Sequence, residues 1–307
     1  MIIFGDHTRV LKYVDEPFFI GADGVKILKP KTDEHNYKYL FYALKNVSIP
    51  DTGYNRHFKW LKDAEIKTPD LQTQEYIVEI LDRVDDLVRQ RESQLAKLDQ
   101  LVKARFVEMF GDPLSPDTKI TTSTLGEKFR INSGGTPSTN NSGYWENGDI
   151  PWVGSSICQD SVVELHKGKF ITKEGLEHSS AKIFEDGTVL VALVGATIGK
   201  TALLRYKTAI NQNIAAIEVA DSQDFIPEFV FIFLQHLYGK FEELGHGKFK
   251  MANLGFVRSL PIICPPRSLQ EDFATFVQKV DKSKAAVKQS LEKLETLKKS
   301  LMQEYFG

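Results

Sequence analysis

Two stretches of the chain carry the same hydrophobic rhythm. From Ile77, steps of four and three residues run through Leu81, Val84, Val88, Arg91, Leu95, Leu98, Val102, Arg105 and Met109. From Phe273 the same steps run through Val277, Val280, Lys284, Val287, Leu291, Leu294, Lys298, Leu301 and Tyr305. An apolar seam recurring about every 3.5 residues over several heptads predicts helices that pair as a coiled coil. Each helix would be roughly 55–60 Å long at about 1.5 Å per residue. Two such helices in one chain predict antiparallel pairing into a spacer. Leu81, Val84, Val88, Leu95 and Leu98 would then line one side of the interface, and Val277, Val280, Val287, Leu291 and Leu294 the other. The charged seam members (Arg91, Arg105, Lys284 and Lys298) fix register, touch a partner or mark solvated seam ends. Helix starts are signalled by Thr68-Pro69-Asp70, and by Pro265-Pro266 followed by Ser268 and Glu271 at capping-box spacing.

The rhythm recurs because the chain repeats itself. At a shift of 196, Gln74-Glu75 falls on Gln270-Glu271, Val84-Asp85 on Val280-Asp281, Leu98 on Leu294 and Phe110-Gly111 on Phe306-Gly307. Further upstream the shift is about 190, with Gly5 on Gly195, Ile20 on Ile210, Ile27 on Ile217 and Leu44 on Leu234. "HFKW" (57–60) likewise faces "KFKM" (248–251). Met1 then falls on Val191, so the first copy has no counterpart of residues 112–190 and reads as N-terminally incomplete. The expected organisation is a partial first module over 1–69, a spacer helix over 70–111, a complete second module over 112–267 and a second spacer helix over 268–307.

The complete module alternates short apolar runs with turn residues, as in "SGGTPST" and "FEDGTVLVALVGATIG", which predicts strands and loops. "FIPEFVFIFLQHLYGKFEEL" (225–244) predicts a helix with proline in its first turn. The fold class is therefore α+β, with mixed modules joined by two long helices. Composition changes this picture little, at 42% apolar, 26% charged and a net charge of −2. That balance argues against a protein that coats nucleic acid by charge alone, and leaves a reader of specific sequence or a subunit of a larger basic assembly. No long apolar run or charged leader predicts a membrane span or signal peptide, and Cys158 and Cys264 form no metal-ligand spacing. A cytoplasmic location is expected.

Three stretches imitate catalytic motifs. "VLVALVGATIGKTALL" (189–204) ends like a phosphate-binding loop, but Val194 stands where the first glycine must be. The first copy puts Arg9-Val10-Leu11 in place of Gly199-Lys200-Thr201, so strand, glycine turn and strand is the better reading. Pro50-Asp51 with Glu65 and Lys67 imitates a metal-dependent nuclease, yet Phe256 and Arg258 face the latter two in the second copy. "DIPW" (149–152) has one proline too few for the loop of amino-methyltransferases. No catalysis and no cofactor are expected in this chain.

"INSGGTPSTNNSGYWENGDIPWVGSSI" (131–157), then "LVGATIGK" and "AINQNIAAI", together resemble the target-recognition domain of type I restriction–modification specificity subunits. The helix following Pro265-Pro266 and ending in Phe306-Gly307 is similar to that family's spacer helix, so the resemblance covers essentially the whole chain. It implies recognition of double-stranded DNA without catalysis. Two recognition domains would sit at opposite ends of an antiparallel helix pair and each read half of a split target. By helix length, at most roughly 16–18 base pairs would separate the module centres. Methyltransferase (modification) subunits would supply methyl transfer from S-adenosylmethionine, and a restriction/translocase subunit would supply cleavage driven by ATP with Mg. For DNA contact the candidates are Lys248, Lys250 and Arg258 around Phe249, echoed by Arg56, His57 and Lys59, with Thr136, Ser138, Lys200, Asn211 and Gln212 from the family-like loops. Trp145 and Trp152 are assigned to core packing. The incomplete first copy reflects a truncated frame, a cassette completed by recombination, or a domain completed by another chain, including a self-dimer. The alternative function is a coiled-coil assembly protein whose recognition modules have degenerated.

Overall fold

The computed structural model describes residues 1–19, 21, 24–32, 34–112, 120–164, 168–243 and 251–307. The chain divides into two compact units, Met1–Leu98 with Lys282–Gly307, and Asp99–Asp281.

In the first unit, β1 (Ile2–Gly5), β2 (Leu11–Tyr13) and β3 (Val25–Leu28) form an antiparallel sheet in the order β2-β1-β3. α1 (Tyr37–Lys45) starts at Asn36, whose side chain accepts from the amides of Lys38 and Tyr39. It buries Tyr39, Leu40, Tyr42 and Ala43 against Ile2 and the long helix that follows. α2 (Phe58–Lys62) is one short turn, and α3 (Leu71–Phe110) is the first heptad helix. Asp70 caps α3 by accepting from the amide and hydroxyl of Thr73. Those two bonds, the amide first, hold its carboxyl below the usual carboxylate range.

The second unit adds β4 (Thr122–Thr124), α4 (Leu125–Lys128), β5 (Arg130–Asn132), β6 (Ile150–Val153), β7 (Ser161–Val163), β8 (Lys169–Ile171) and α5 (Lys173–Glu177). β9 (Lys182–Phe184), β10 (Thr188–Ala192), β11 (Thr201–Leu204), β12 (Thr208–Ile210) and β13 (Ile214–Glu218) complete its two main sheets. α6 (Pro227–His236), α7 (Tyr238–Glu242), α8 (Leu254–Ser259), β14 (Pro261–Ile263) and the second long helix α9 (Arg267–Phe306) follow. Among the described residues the sheets run β5-β13-β10-β11-β7 and β8-β6-β12-β9, with β14 paired to β4. Val153, Phe184 and Ile210 of the second sheet share a core with Leu190, Leu204 and Ile214 of the first. β10 and β11 are buried at every position because α6 covers the face turned away from the second sheet. That double burial is why "VLVALV" is a continuous apolar run rather than an alternating one.

The repeat is structural. The sub-order β13-β10-β11 reproduces β3-β1-β2, α6 and α8 reproduce α1 and α2, and α3 and α9 are both 40 residues long. The sequence alignment of the first strand needs correction. Phe4 lies opposite Leu11 as Val191 lies opposite Thr201, so Phe4 rather than Met1 is the counterpart of Val191. Gly5 therefore ends a strand, while Gly195 lies in the turn beyond. The 225–244 helix is broken at Leu237, whose amide bonds the Leu234 carbonyl in a tighter turn just before Gly239. The expected capping box is absent as well. α9 begins at Arg267, Glu271 pairs with Arg267, and the Pro266 carbonyl accepts from Leu269 and Gln270.

A buried glutamine joins each long helix to its module instead. Gln270 accepts from the Ile226 amide and donates to the carbonyls of Asp224 and Pro265, and Gln74 accepts from the Asn36 amide and donates to Pro69. Leaving these partners unpaired in a closed joint costs about 1–3 kcal/mol. Gln270→Ala should therefore lower the denaturant midpoint by an amount worth about 2 kcal/mol. A loss under about 0.5 kcal/mol, the scale of neutral surface changes, would show that the joint is not structural.

Within each unit the long helices pack antiparallel. In the first, Lys298 forms an ion pair with Asp85, while Leu301, Met302, Tyr305 and Phe306 pack with Ile77, Val78 and Leu81. Leu81, Val84, Val277 and Val280 are buried, and Val88, Leu95, Leu98, Val287, Leu291 and Leu294 are half-buried. In the second, Phe106 and Phe110 meet Phe273 edge-on at 5.5 and 5.6 Å. Each module is thus closed by the end of the helix belonging to the other copy. Phe106 packs on Phe229 and Phe233 of α6, and Phe306 packs on Tyr39 of α1. Of the charged seam residues, Lys298 pairs across the helices, and Arg105 pairs with Glu108 beneath the ring of Phe276.

Candidate nucleic-acid interface

In the second unit, β6, β10 and β12 end where β11 and β13 begin. The connections leaving that end are bonded to one another. Gly135 donates its amide to the Ile210 carbonyl at 2.9 Å, Asn211 donates to Val153, and Leu193 donates to Asn213. The Thr197 hydroxyl lies 3.4 Å from the Ser155 carbonyl, and the Ala252 amide donates to Leu193. The result is a single loop surface rich in hydroxyls and amides.

The Gly-Gly-Thr-Pro-Ser segment reaches this surface because its glycines lack side chains. A Cβ on Gly134 would stand 1.9 Å from the Ile210 carbonyl oxygen, and one on Gly135 would stand 2.0 Å from Ser180 Oγ. Two indoles hold the segment from behind. Trp152 Nε1 donates to the Gly135 carbonyl and Trp145 Nε1 to the Ser138 carbonyl, with the rings edge-to-face at 5.2 Å. Both tryptophans are half-buried around Ile171, Ala181 and Ala209.

Thr136 and Gln212 meet here. The Thr136 hydroxyl donates to Gln212 Oε1 at 2.7 Å, and both residues are exposed. That contact engages the amide through its oxygen, and among the described residues the Gln212 NH2 makes no hydrogen bond. Asn211 is nearly buried and accepts from the Asn213 amide, so it shapes the turn. Lys200 is half-buried at the start of β11, after a turn in which Gly195 and Gly199 take φ of +74° and +77°. Any side chain at Gly199 would also strike the Phe241 ring at 2.7 Å. Ser138 is exposed. The Arg258 guanidinium is engaged inward, donating to the Ile131 carbonyl at 2.5 Å. Lys248, Phe249 and Lys250 lie outside the described residues.

In the first unit, Arg56 is exposed, and Lys59 lies over the Trp60 ring at 4.1 Å. His57 is buried, its imidazole against the Asp6 carbonyl and Thr52, and does not reach the surface. The Gly195–Thr197 turn leads into strand β11 rather than a helix, so no helix N-terminus faces a phosphate there. Asp51 accepts from Arg9 and from the Gly53 amide, while Lys67 donates to the Gly307 carbonyl. Among the described residues no group of three or more His, Cys, Asp or Glu could hold a metal ion, and no helix is long and apolar enough to cross a membrane.

Residues 2–99 and 118–296 match the family described as the type I restriction modification DNA specificity domain. The specificity subunit of the type I restriction enzyme EcoR124I/EcoR124II from Escherichia coli is 27% identical over 233 residues, which are 71% of this chain and 56% of that one. The chain therefore spans little more than half of that relative. A putative type I restriction enzyme MjaX specificity subunit from Methanocaldococcus jannaschii is 23% identical over 328 residues, 96% of this chain and 73% of that one. Among solved structures, the S subunit of a type I restriction–modification system from M. genitalium shares the fold at a TM-score of 0.56 and 18% identity, covering 100% of this chain and 82% of that one. A chain from a structure of type I R-M complex assembly superposes at a TM-score of 0.63 and 17% identity, covering 99% and 81%.

Proposed function

Since the chain belongs to the type I restriction–modification DNA specificity family, we propose that it is the non-catalytic, sequence-reading subunit of such a complex, directing methyltransferase and restriction subunits to a bipartite duplex target. The observation that carries this reading is the loop surface of the second unit, where Thr136 holds the exposed Gln212. A glutamine amide matches the paired donor and acceptor of an adenine edge, and lysine matches guanine or phosphate. A donor already fixed by Thr136 forfeits less side-chain freedom on binding. S-adenosylmethionine, ATP and Mg would belong to partner subunits. α3 and α9, each about 60 Å by rise per residue, would serve as the spacer between half-sites.

Co-expression with a methyltransferase subunit, followed by genome-wide mapping of methylated adenines, tests this reading. A methylated motif in two blocks is expected. A stable complex that methylates nothing would favour a coiled-coil assembly protein with degenerate modules.

A further inference from the structure

Hydrogen-bond register identifies the part of the first unit that corresponds to the loop surface of the second. The Asp6 carbonyl accepts from the His57 amide at 2.9 Å, as the Leu193 carbonyl accepts from the Ala252 amide at 2.8 Å. With Phe4 opposite Leu11 as Val191 is opposite Thr201, the β1–β2 turn stands where the second unit has its glycine turn. The segment before His57 stands beside it, as Met251 stands beside Val194 in the second unit.

The chemistry at this end is different. The turn carries His7 in place of Val194 and Arg9 in place of Gly199, and Arg9 adopts a left-handed φ of +58°. Its guanidinium pairs with Asp51 at 2.7 Å, and Asp51 also accepts from the Gly53 amide at 3.0 Å. These bonds fold residues 51–55 over the turn and lay Tyr54 flat on His7, with centroids 4.7 Å apart and planes 8° from parallel. Gly24 backs the imidazole, since a Cβ there would lie 3.2 Å from His7 Cδ2. Tyr54 is nevertheless 89% exposed. Beside it in sequence, the exposed Arg56 makes no hydrogen bond or ion pair among the described residues.

An aromatic ring held on a second ring, next to an unengaged guanidinium, suits the wall of a DNA groove. The ring offers a rigid apolar face to sugars and base edges, and the guanidinium reaches phosphate or guanine. The only carboxylate in the 51–57 segment, Asp51, is already neutralised by Arg9. We propose that Tyr54, stacked on His7, and Arg56 form the DNA-contacting surface of the first unit and determine its half of the target. This rests on the reading of the chain as a DNA-specificity subunit.

The test uses the full chain co-expressed with its methyltransferase subunit, comparing methylated motifs directed by wild type, Tyr54→Ala and Arg56→Gln. Each variant should lose base preference in one block, or lower methylation at wild-type sites by about tenfold, the scale of one lost base contact. The other block and the thermal midpoint should stay unchanged. Wild-type motif and rate in both variants would overturn the inference while leaving the DNA reading intact. Loss of methyltransferase co-purification in the variants would also overturn it, by making this a protein interface. A wild-type chain that directs no methylation would instead defeat the DNA reading itself.

Discussion

A Gly134→Ala chain should lose sequence-specific binding at the half-site read by its second unit. The added methyl would stand 1.9 Å from the Ile210 carbonyl oxygen and 2.7 Å from its carbon, both backbone atoms that cannot rotate away. The segment must therefore lift, breaking the bond from the Gly135 amide to that same carbonyl. Thr136 then leaves Gln212, and the fixed donor becomes a mobile one. Base contacts contribute about 1–3 kcal/mol each, so losing two weakens specific binding on the order of 100-fold. Fluorescence anisotropy on a duplex carrying the methylated motif measures this, alongside a non-specific duplex whose affinity should hardly change. Specific binding within about twofold of wild type would place the interface elsewhere.

Phe106→Ala should produce the largest loss of stability, about 3–5 kcal/mol for an aromatic removed from a closed core. Phe106 is fully buried and touches Phe110, Phe229, Phe233 and Phe273, with the His236 ring stacked on it at 4.4 Å. The effect should appear in equilibrium denaturation as a shifted midpoint for the transition of the second unit. Val107, one residue along but exposed, is the control, and Val107→Ala should change little. A Phe106→Ala loss below about 1 kcal/mol would mean that the end of α3 is not part of that core.

The long helices were the most legible part of the fold, because a 4-3 seam is a direct imprint of helix pairing on the sequence. Phe106 and Phe110 escaped that reading because they lie off the seam. They face α6 of the other copy's module, a partner that periodicity does not name. The first-strand alignment slipped for a related reason. β1 and β10 are largely buried runs without polar punctuation, so residue identity slides along them, while hydrogen-bond register does not. The capping-box spacing at Ser268 was genuine, but Pro265-Pro266 starts the helix at Arg267, so Ser268 lies inside it rather than before it. At the candidate site, Thr136 and Gln212 were placed by resemblance. The backbone approach that demands Gly134 and the stack of Tyr54 on His7 join positions far apart in sequence, and no local pattern announces either.

Selection from randomised duplexes tests most directly whether one chain carries two readers. The complex of the full chain with its methyltransferase subunit would be incubated with a pool of duplexes longer than the proposed spacer, and the bound fraction sequenced. Two enriched blocks at a fixed separation are expected, with unselected positions between them. A single contiguous block, or a bound pool no different from the starting one, would contradict that expectation.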